Sequence, residues 1–155
     1  MNNERITIER VTEFDSQLID ELSQIEAGAF NDGALNRWTF PVLIRHGAVF
    51  LLKCDGKICG VADIIKDWTD PKLAFIVGFA IKEGERGKGL GYKLLSGIID
   101  ELRGNGIKKI QLTVDPKSER AVSLYRKAGF KQLAELANEY GPSVDRLLFE
   151  FELED

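Results

Sequence analysis

The chain is poor in the residues that build metal centres and disulfide frameworks. It has one histidine, His46, and two cysteines, Cys54 and Cys59, in 155 residues. A protein zinc site draws on several such side chains close together, so no metal is expected. Cys54 and Cys59 flank Asp-Gly-Lys-Ile in a hairpin-like stretch. They read as reduced cysteines packed as small hydrophobes, with a disulfide or redox pair as the alternative. No apolar run approaches the length of a membrane span, and the opening MNNERITIERVTE has no signal-peptide core. A cytoplasmic protein with no membrane partner is the expectation. A basic surplus is missing too. Lys and Arg total 21 against 25 Asp and Glu, a formal charge of −4. That balance argues against a nucleic-acid partner and leans mildly toward a cationic or amine one. Repeats, low-complexity tracts and linkers are absent, so residues 1–155 are expected to form a single domain.

What is present is a regular alternation of strand and helix patterns. Arg5–Thr12 alternates as a strand, and FDSQLIDELSQIEAGAF follows as a helix capped by Asp15 or Ser16. Leu18, Ile19, Leu22, Ile25 and Ala29 mark its apolar face. RWTFPVLIRHG suits a short helix with Thr39 as cap, Pro41 in the first turn and Gly47 as stop. AVFLLKC and KICGVADIIKD form a hairpin about Asp55-Gly56, a pair that tolerates the positive φ angles of a tight turn. KLAFIVGFAIK is nearly continuously apolar, which predicts burial on both faces, with Gly78 a candidate bulge. GLGYKLLSGIIDELR is an amphipathic helix closed by Gly104. KKIQLTV is a buried strand, and SERAVSLYRKAG is a helix ended by Gly129. FKQLAELAN and RLLFEFEL pair around EYGPSVD. The order β-α-α-β-β-β-α-β-α-β-β predicts an α/β fold, with a mixed, mostly antiparallel central sheet and helices on both faces.

The sharpest local signal is EGERGKGLGYKLL. Three alternating glycines, Gly87, Gly89 and Gly91, surround Lys88 behind Arg86 at the start of a helix. Unpaired N–H groups and the helix dipole make such a place an anion site, and glycine lets a phosphate approach the backbone. A Walker loop would need a glycine where Lys82 stands and Ser or Thr where Gly89 stands. A dinucleotide loop would need another glycine spacing and a parallel βαβ unit. Both readings fail on spacing.

Arg86, Gly89 and Gly91 fill the pattern Gln/Arg-x-x-Gly-x-Gly/Ala. With FAIKEGERGKGLGYKLL upstream, LTVDPKSERAVSLYRKAGF downstream and the element order, the whole chain resembles the GNAT superfamily of N-acetyltransferases. It looks like one of the small bacterial-type, single-domain members. The resemblance implies acetyl-CoA as co-substrate. Backbone groups of Phe79, Ala80 and Ile81 would hold the pantetheine arm, and N–H groups across Arg86, Gly87, Lys88, Gly89, Leu90 and Gly91 the pyrophosphate. It also implies that Tyr125 sits near the sulfur as general acid; the alternative is an aromatic residue that packs helix on sheet beside Leu124 and Ala128. Ser118 stands where many relatives have an asparagine that contacts the arm. Glu83-Gly84 replaces the usual proline after the strand.

The implied reaction is acetyl transfer to a primary amine of a small molecule or peptide, in a ternary complex. Transfer of another acyl group and a non-catalytic acyl-CoA sensor are the rivals. Thr113 stands where ribosomal-protein acetyltransferases carry a glutamate base, so the base is open. Glu26, Asp63 and Asp67 are candidates by topology, each otherwise a solvated surface charge, and His46 reads as a helix-end residue. Acceptor specificity is expected from EAGAFNDGALNRW, KDWTDP and NEYGPSVDR, where Trp38, Trp68 and Tyr140 are candidate pocket walls or rim packing. The last hairpin is apolar enough to join a homodimer.

Overall fold

A computed structural model describes residues 4–30 and 35–154. Its elements follow the expected order: β1 (Ile6–Arg10), α1 (Ser16–Phe30), α2 (Thr39–His46), β2 (Ala48–Cys54), β3 (Lys57–Lys66), β4 (Leu73–Ile81), α3 (Leu90–Gly104), β5 (Lys109–Val114), α4 (Glu119–Ala128), β6 (Lys131–Leu136) and β7 (Arg146–Glu152). The strands form one seven-stranded sheet in the order β1-β2-β3-β4-β5-β7-β6. β4 and β5 are parallel, while β1–β2, β2–β3, β5–β7 and β6–β7 are antiparallel. This is the mixed, mostly antiparallel α/β arrangement that the pattern predicts. No helix among the described residues is long and apolar enough to cross a membrane.

The described chain falls into two compact units. The first comprises the residues up to Ile65 with Val77–Ile98, the second Lys66–Ile76 with the residues from Ile99 on. In the first, α1 begins where Asp15 Oδ1 accepts the Leu18 N–H at 2.9 Å, so Asp15 rather than Ser16 is the cap. Ile19, Leu22 and Ile25 bury the expected stripe against Phe40, Leu43 and Ile44 of α2 and Val49, Val61 and Ala80 of the sheet. Each such large side chain contributes roughly 2 kcal/mol by leaving water. Asp55 and Gly56 take φ of 52° and 82°, the double left-handed turn expected of the β2–β3 hairpin.

Three local expectations are corrected. Thr39 is the first helical residue of α2, not its cap. The N-cap position is Trp38, with no side-chain capping bond, and Asn36 Oδ1 accepts the Trp38 N–H at 3.0 Å and the Thr39 hydroxyl at 3.2 Å in the preceding turn. At the end of α3 the left-handed residue is Gly106, φ 80°, with the Ile107 N–H reaching the Leu102 carbonyl at 3.1 Å. That is a Schellman closure two residues beyond Gly104, which is still helical. β4 is not buried on both faces. Ala74, Ile76, Gly78 and Ala80 are buried, whereas Val77 on the other face is 36% exposed. An apolar run reports hydrophobicity, but two-sided burial also needs cover on both sides. The β4–β5 ladder runs only from Leu73↔Lys109 to Ile76↔Leu112.

In the second unit, β7 lies between β5 and β6, with Phe149 opposite Leu112 on one side and Gln132 on the other. α4 ends at Gly129, whose φ of 107° is left-handed, and the Phe130 N–H returns to the Tyr125 carbonyl at 3.0 Å. Ile110, Leu112, Phe130 and Phe149 are buried in its core.

Candidate functional site

Past the end of the β4–β5 ladder, β4 continues through Phe79, Ala80 and Ile81 into the glycine loop. The loop is anchored where the Lys82 N–H meets the Cys59 carbonyl at 2.7 Å and the Glu85 N–H meets the Lys82 carbonyl at 3.0 Å. Gly84, Gly87 and Gly89 have φ of 92°, 82° and 76°, and a Cβ on any of them would meet nothing within 4 Å. These glycines serve conformation, not close packing, and space is open beside them. Gly91 differs, being the second residue of α3. The first intrahelical bond of that helix runs from the Lys93 N–H to the Gly89 carbonyl at 3.3 Å. The amides of Leu90 and Gly91 therefore precede it, at the positive end of the dipole.

The two basic side chains of the loop have protein partners. Arg86 donates from Nε to the Ile81 carbonyl at 3.1 Å and from Nη2 to the Gly28 carbonyl at 3.0 Å, tying the loop to β4 and to the end of α1. Lys88 Nζ is 2.8 Å from Glu85 Oε2. That exposed pair draws the Glu85 carboxyl down and the Lys88 ammonium up. The Lys88 charge is thus paired with a carboxylate, while Arg86 keeps its charge with its donors turned to carbonyls.

In the second unit, Ser118 occupies the N-cap of α4, but its side chain makes no capping bond. Tyr125 is 8% exposed and packs edge-on against Phe130 and Phe149, with ring centroids 5.8 and 6.3 Å away. Burial pushes its phenol further up, so it stays protonated throughout the physiological range. Its ring packs with Phe130 and Phe149, while Leu124 is only half-buried. Thr113 shares a 3.3 Å hydrogen bond with the Tyr140 hydroxyl, and Arg146 lies 5.2 Å from the centre of the Tyr140 ring.

The candidate acids divide sharply. Asp67 accepts the Thr69 and Asp70 N–H groups at 3.0 and 2.8 Å and shapes its own loop. Glu26 and Asp63 are not solvated surface charges: both are 0% exposed. The structure brings them together against Gly78. A methyl group there would clash with Asp63 Oδ2 and lie 2.7 Å from Glu26 Oε1. Gly78, expected as a bulge, has close approach as its reason. The missed signal was polarity at core positions, since Glu26 is four residues after Leu22 on the α1 stripe and Asp63 interrupts the apolar ICGVADII.

Other nominated residues are placed singly. His46 is exposed in the last turn of α2. Trp38, 82% exposed, lines a groove of about 410 Å³ with Phe14, Asp15, Ile19, Arg37 and Pro41. Trp68 is fully exposed. Asn31–Ala34, the centre of the first specificity segment, lie outside the described residues. Cys54 and Cys59 are buried free thiols; burial, then the Cys59 neighbour, pushes Cys54 up to about 12.

Comparison with known proteins decides among the loop readings. The model of the acetyltransferase (GNAT) family matches residues 15–130. The chain belongs to that family. An aminoglycoside N(6')-acetyltransferase type 1 of Klebsiella pneumoniae is 34% identical over 77 residues, 49% of this chain and 38% of that protein. The chain therefore matches well under half the length of that relative. Among solved structures, the ribosomal-protein-S18-alanine N-acetyltransferase of Escherichia coli superposes with a TM-score of 0.80 at 23% identity, over 97% of this chain and 96% of that one. A Bacillus subtilis acetyltransferase in complex with CoA gives a TM-score of 0.77 at 22% identity, over 97% and 100%. These two likenesses are likenesses of fold.

Proposed function

We propose that this GNAT protein is an acetyl-CoA-dependent N-acetyltransferase acting on a primary amine by direct transfer. The observation that carries the reading is the loop: three left-handed glycines in open space, directly before the N-terminus of α3. The donor's fit is tested there. Amides with no side chain in front of them, at a positive helix end, suit a pyrophosphate. The amides from Arg86 to Gly91 would hold that group, and main-chain groups of Phe79, Ala80 and Ile81 the arm. Ser118 is placed at a helix N-cap with its hydroxyl uncommitted to a cap, which suits the arm contact assigned to it. Bound acetyl-CoA would supply an acetyl thioester, already activated toward an amine.

The rest falls to this chain's residues. Tyr125 keeps its proton throughout the physiological range, so it has an O–H to offer a departing thiolate, although the same burial makes it a weaker acid than a free phenol. The acceptor class follows from the GNAT family and from the named activity of its aminoglycoside-modifying relative. Thiol release from acetyl-CoA, measured across amines, polyamines and amino-terminal peptides, tests the reading. Release that requires an acceptor is the expected result, and CoA binding without release for any acceptor would make the chain a sensor. Tyr125→Phe is expected to lower turnover about a hundredfold while CoA affinity stays within about twofold. Equal losses in both would make Tyr125 a binding residue.

A further inference from the structure

Glu26 and Asp63 are the two charged residues found fully buried among the described residues. Their carboxyls meet over the same point of Gly78, and no protein N–H or O–H reaches any of the four carboxyl oxygens. Two carboxyls buried side by side without a donor are strongly destabilised if both are ionised, and a proton held between them removes one of the two charges. Among the described residues no cation acts on either carboxyl. Gly78 of β4 and Val49, opposite Asp63 on β2, are apolar, and the Ser23 hydroxyl one turn before Glu26 is itself buried without a partner. The titratable group acting on each carboxyl is the other one. Burial pushes both carboxyls up, while the neighbouring carboxyl adds to the rise at Asp63 and opposes it at Glu26.

Position gives the pair its importance. It joins α1 to β3 against the backbone of Gly78, the residue before Phe79. Two residues beyond Glu26, the Gly28 carbonyl accepts Arg86 of the glycine loop. Zero exposure keeps an acceptor amine from touching either carboxyl in this structure, so their role is positioning.

We propose that Glu26 and Asp63 form a shared-proton clamp that holds α1 and β3 on Gly78 and thereby sets the donor-binding backbone of Phe79–Ile81 and, through Gly28 and Arg86, the glycine loop. The inference rests on the donor-site reading above. Its pH dependence has a definite sign. An acid whose folded-state value is raised stabilises the fold at low pH, and that contribution is lost as pH rises through the folded-state value. Alkaline pH removes the shared proton, sets two buried negative charges against each other and loosens the clamp.

Glu26→Gln separates this from a merely structural contact, because the amide donates to Asp63 without a shared proton. CoA affinity and melting temperature are measured for wild type and variant from about pH 6 to about pH 9. Wild-type affinity is expected to fall roughly tenfold more than that of the variant, and its melting temperature to fall more steeply. Asp63→Asn, which keeps a donor on the other side, should behave in the same way and stands in if Glu26→Gln does not fold. Parallel pH profiles in wild type and both variants would overturn the clamp. Infrared spectroscopy of the wild type supplies a reading independent of any ligand. A protonated-carboxyl band at neutral pH, lost in either variant, supports the pair, and its absence from wild type would overturn it. If wild type binds no CoA at any pH, the donor reading fails, while the band and the melting temperatures still decide the shared proton.

Discussion

Two glycine-dependent places stand a few residues apart on one stretch of chain and need glycine for opposite reasons. In the loop, Gly84, Gly87 and Gly89 have left-handed φ angles and nothing near the position of a missing Cβ. At Gly78 the φ angle is not left-handed, but the space is taken by two carboxyls. The first place leaves room for something not part of the protein; the second leaves room for the protein's own side chains. A glycine's meaning therefore depends on whether it relieves a dihedral or a distance, and the two should fail differently when filled.

The largest effect expected is at Gly78. Gly78→Ala puts a methyl group onto two buried carboxyls that cannot retreat into water, and should cost on the order of 3 kcal/mol of unfolding free energy in urea. A cost below about 1 kcal/mol would mean that the carboxyls move aside freely. Gly89→Ala should divide the other way. Holding alanine at a left-handed φ costs about 1 kcal/mol of stability, and the methyl group also fills space that is open just before α3. CoA affinity should drop at least roughly tenfold, more than stability alone explains. The smallest effect is expected at Lys88. Its charge is shared with Glu85 at the exposed surface, so Lys88→Ala should change CoA affinity by less than about threefold and leave the melting temperature where it was. A larger loss than at Gly89 would reverse the comparison and make the side-chain charge, rather than the backbone, the holding element.

The same contrast explains what could be read from the sequence. The hairpin about Asp55-Gly56, the stripe of α1 and the α4 stop at Gly129 are local, fixed by residues within a turn of each other. The glycine loop was legible for the same reason, since its spacing alone separates it from the Walker and dinucleotide loops. Thr39 does not cap α2 because Trp38 holds the N-cap position and the Thr39 hydroxyl turns back to Asn36. Glu26, Asp63 and Gly78 are far apart in the chain and meet only through tertiary packing. Each polar residue taken alone had a more ordinary surface reading. Arg86 was legible as a loop residue, but its bond to the Gly28 carbonyl depends on where α1 ends.

The most direct test of the central claim compares CoA with pantetheine, which keeps the arm and thiol but lacks the pyrophosphate. If the amides from Arg86 to Gly91 hold the pyrophosphate, calorimetry should show CoA binding at least roughly a hundredfold more tightly than pantetheine, with most of that advantage lost in Gly89→Ala. Equal affinity for the two ligands, or an advantage unchanged in the variant, would contradict the account.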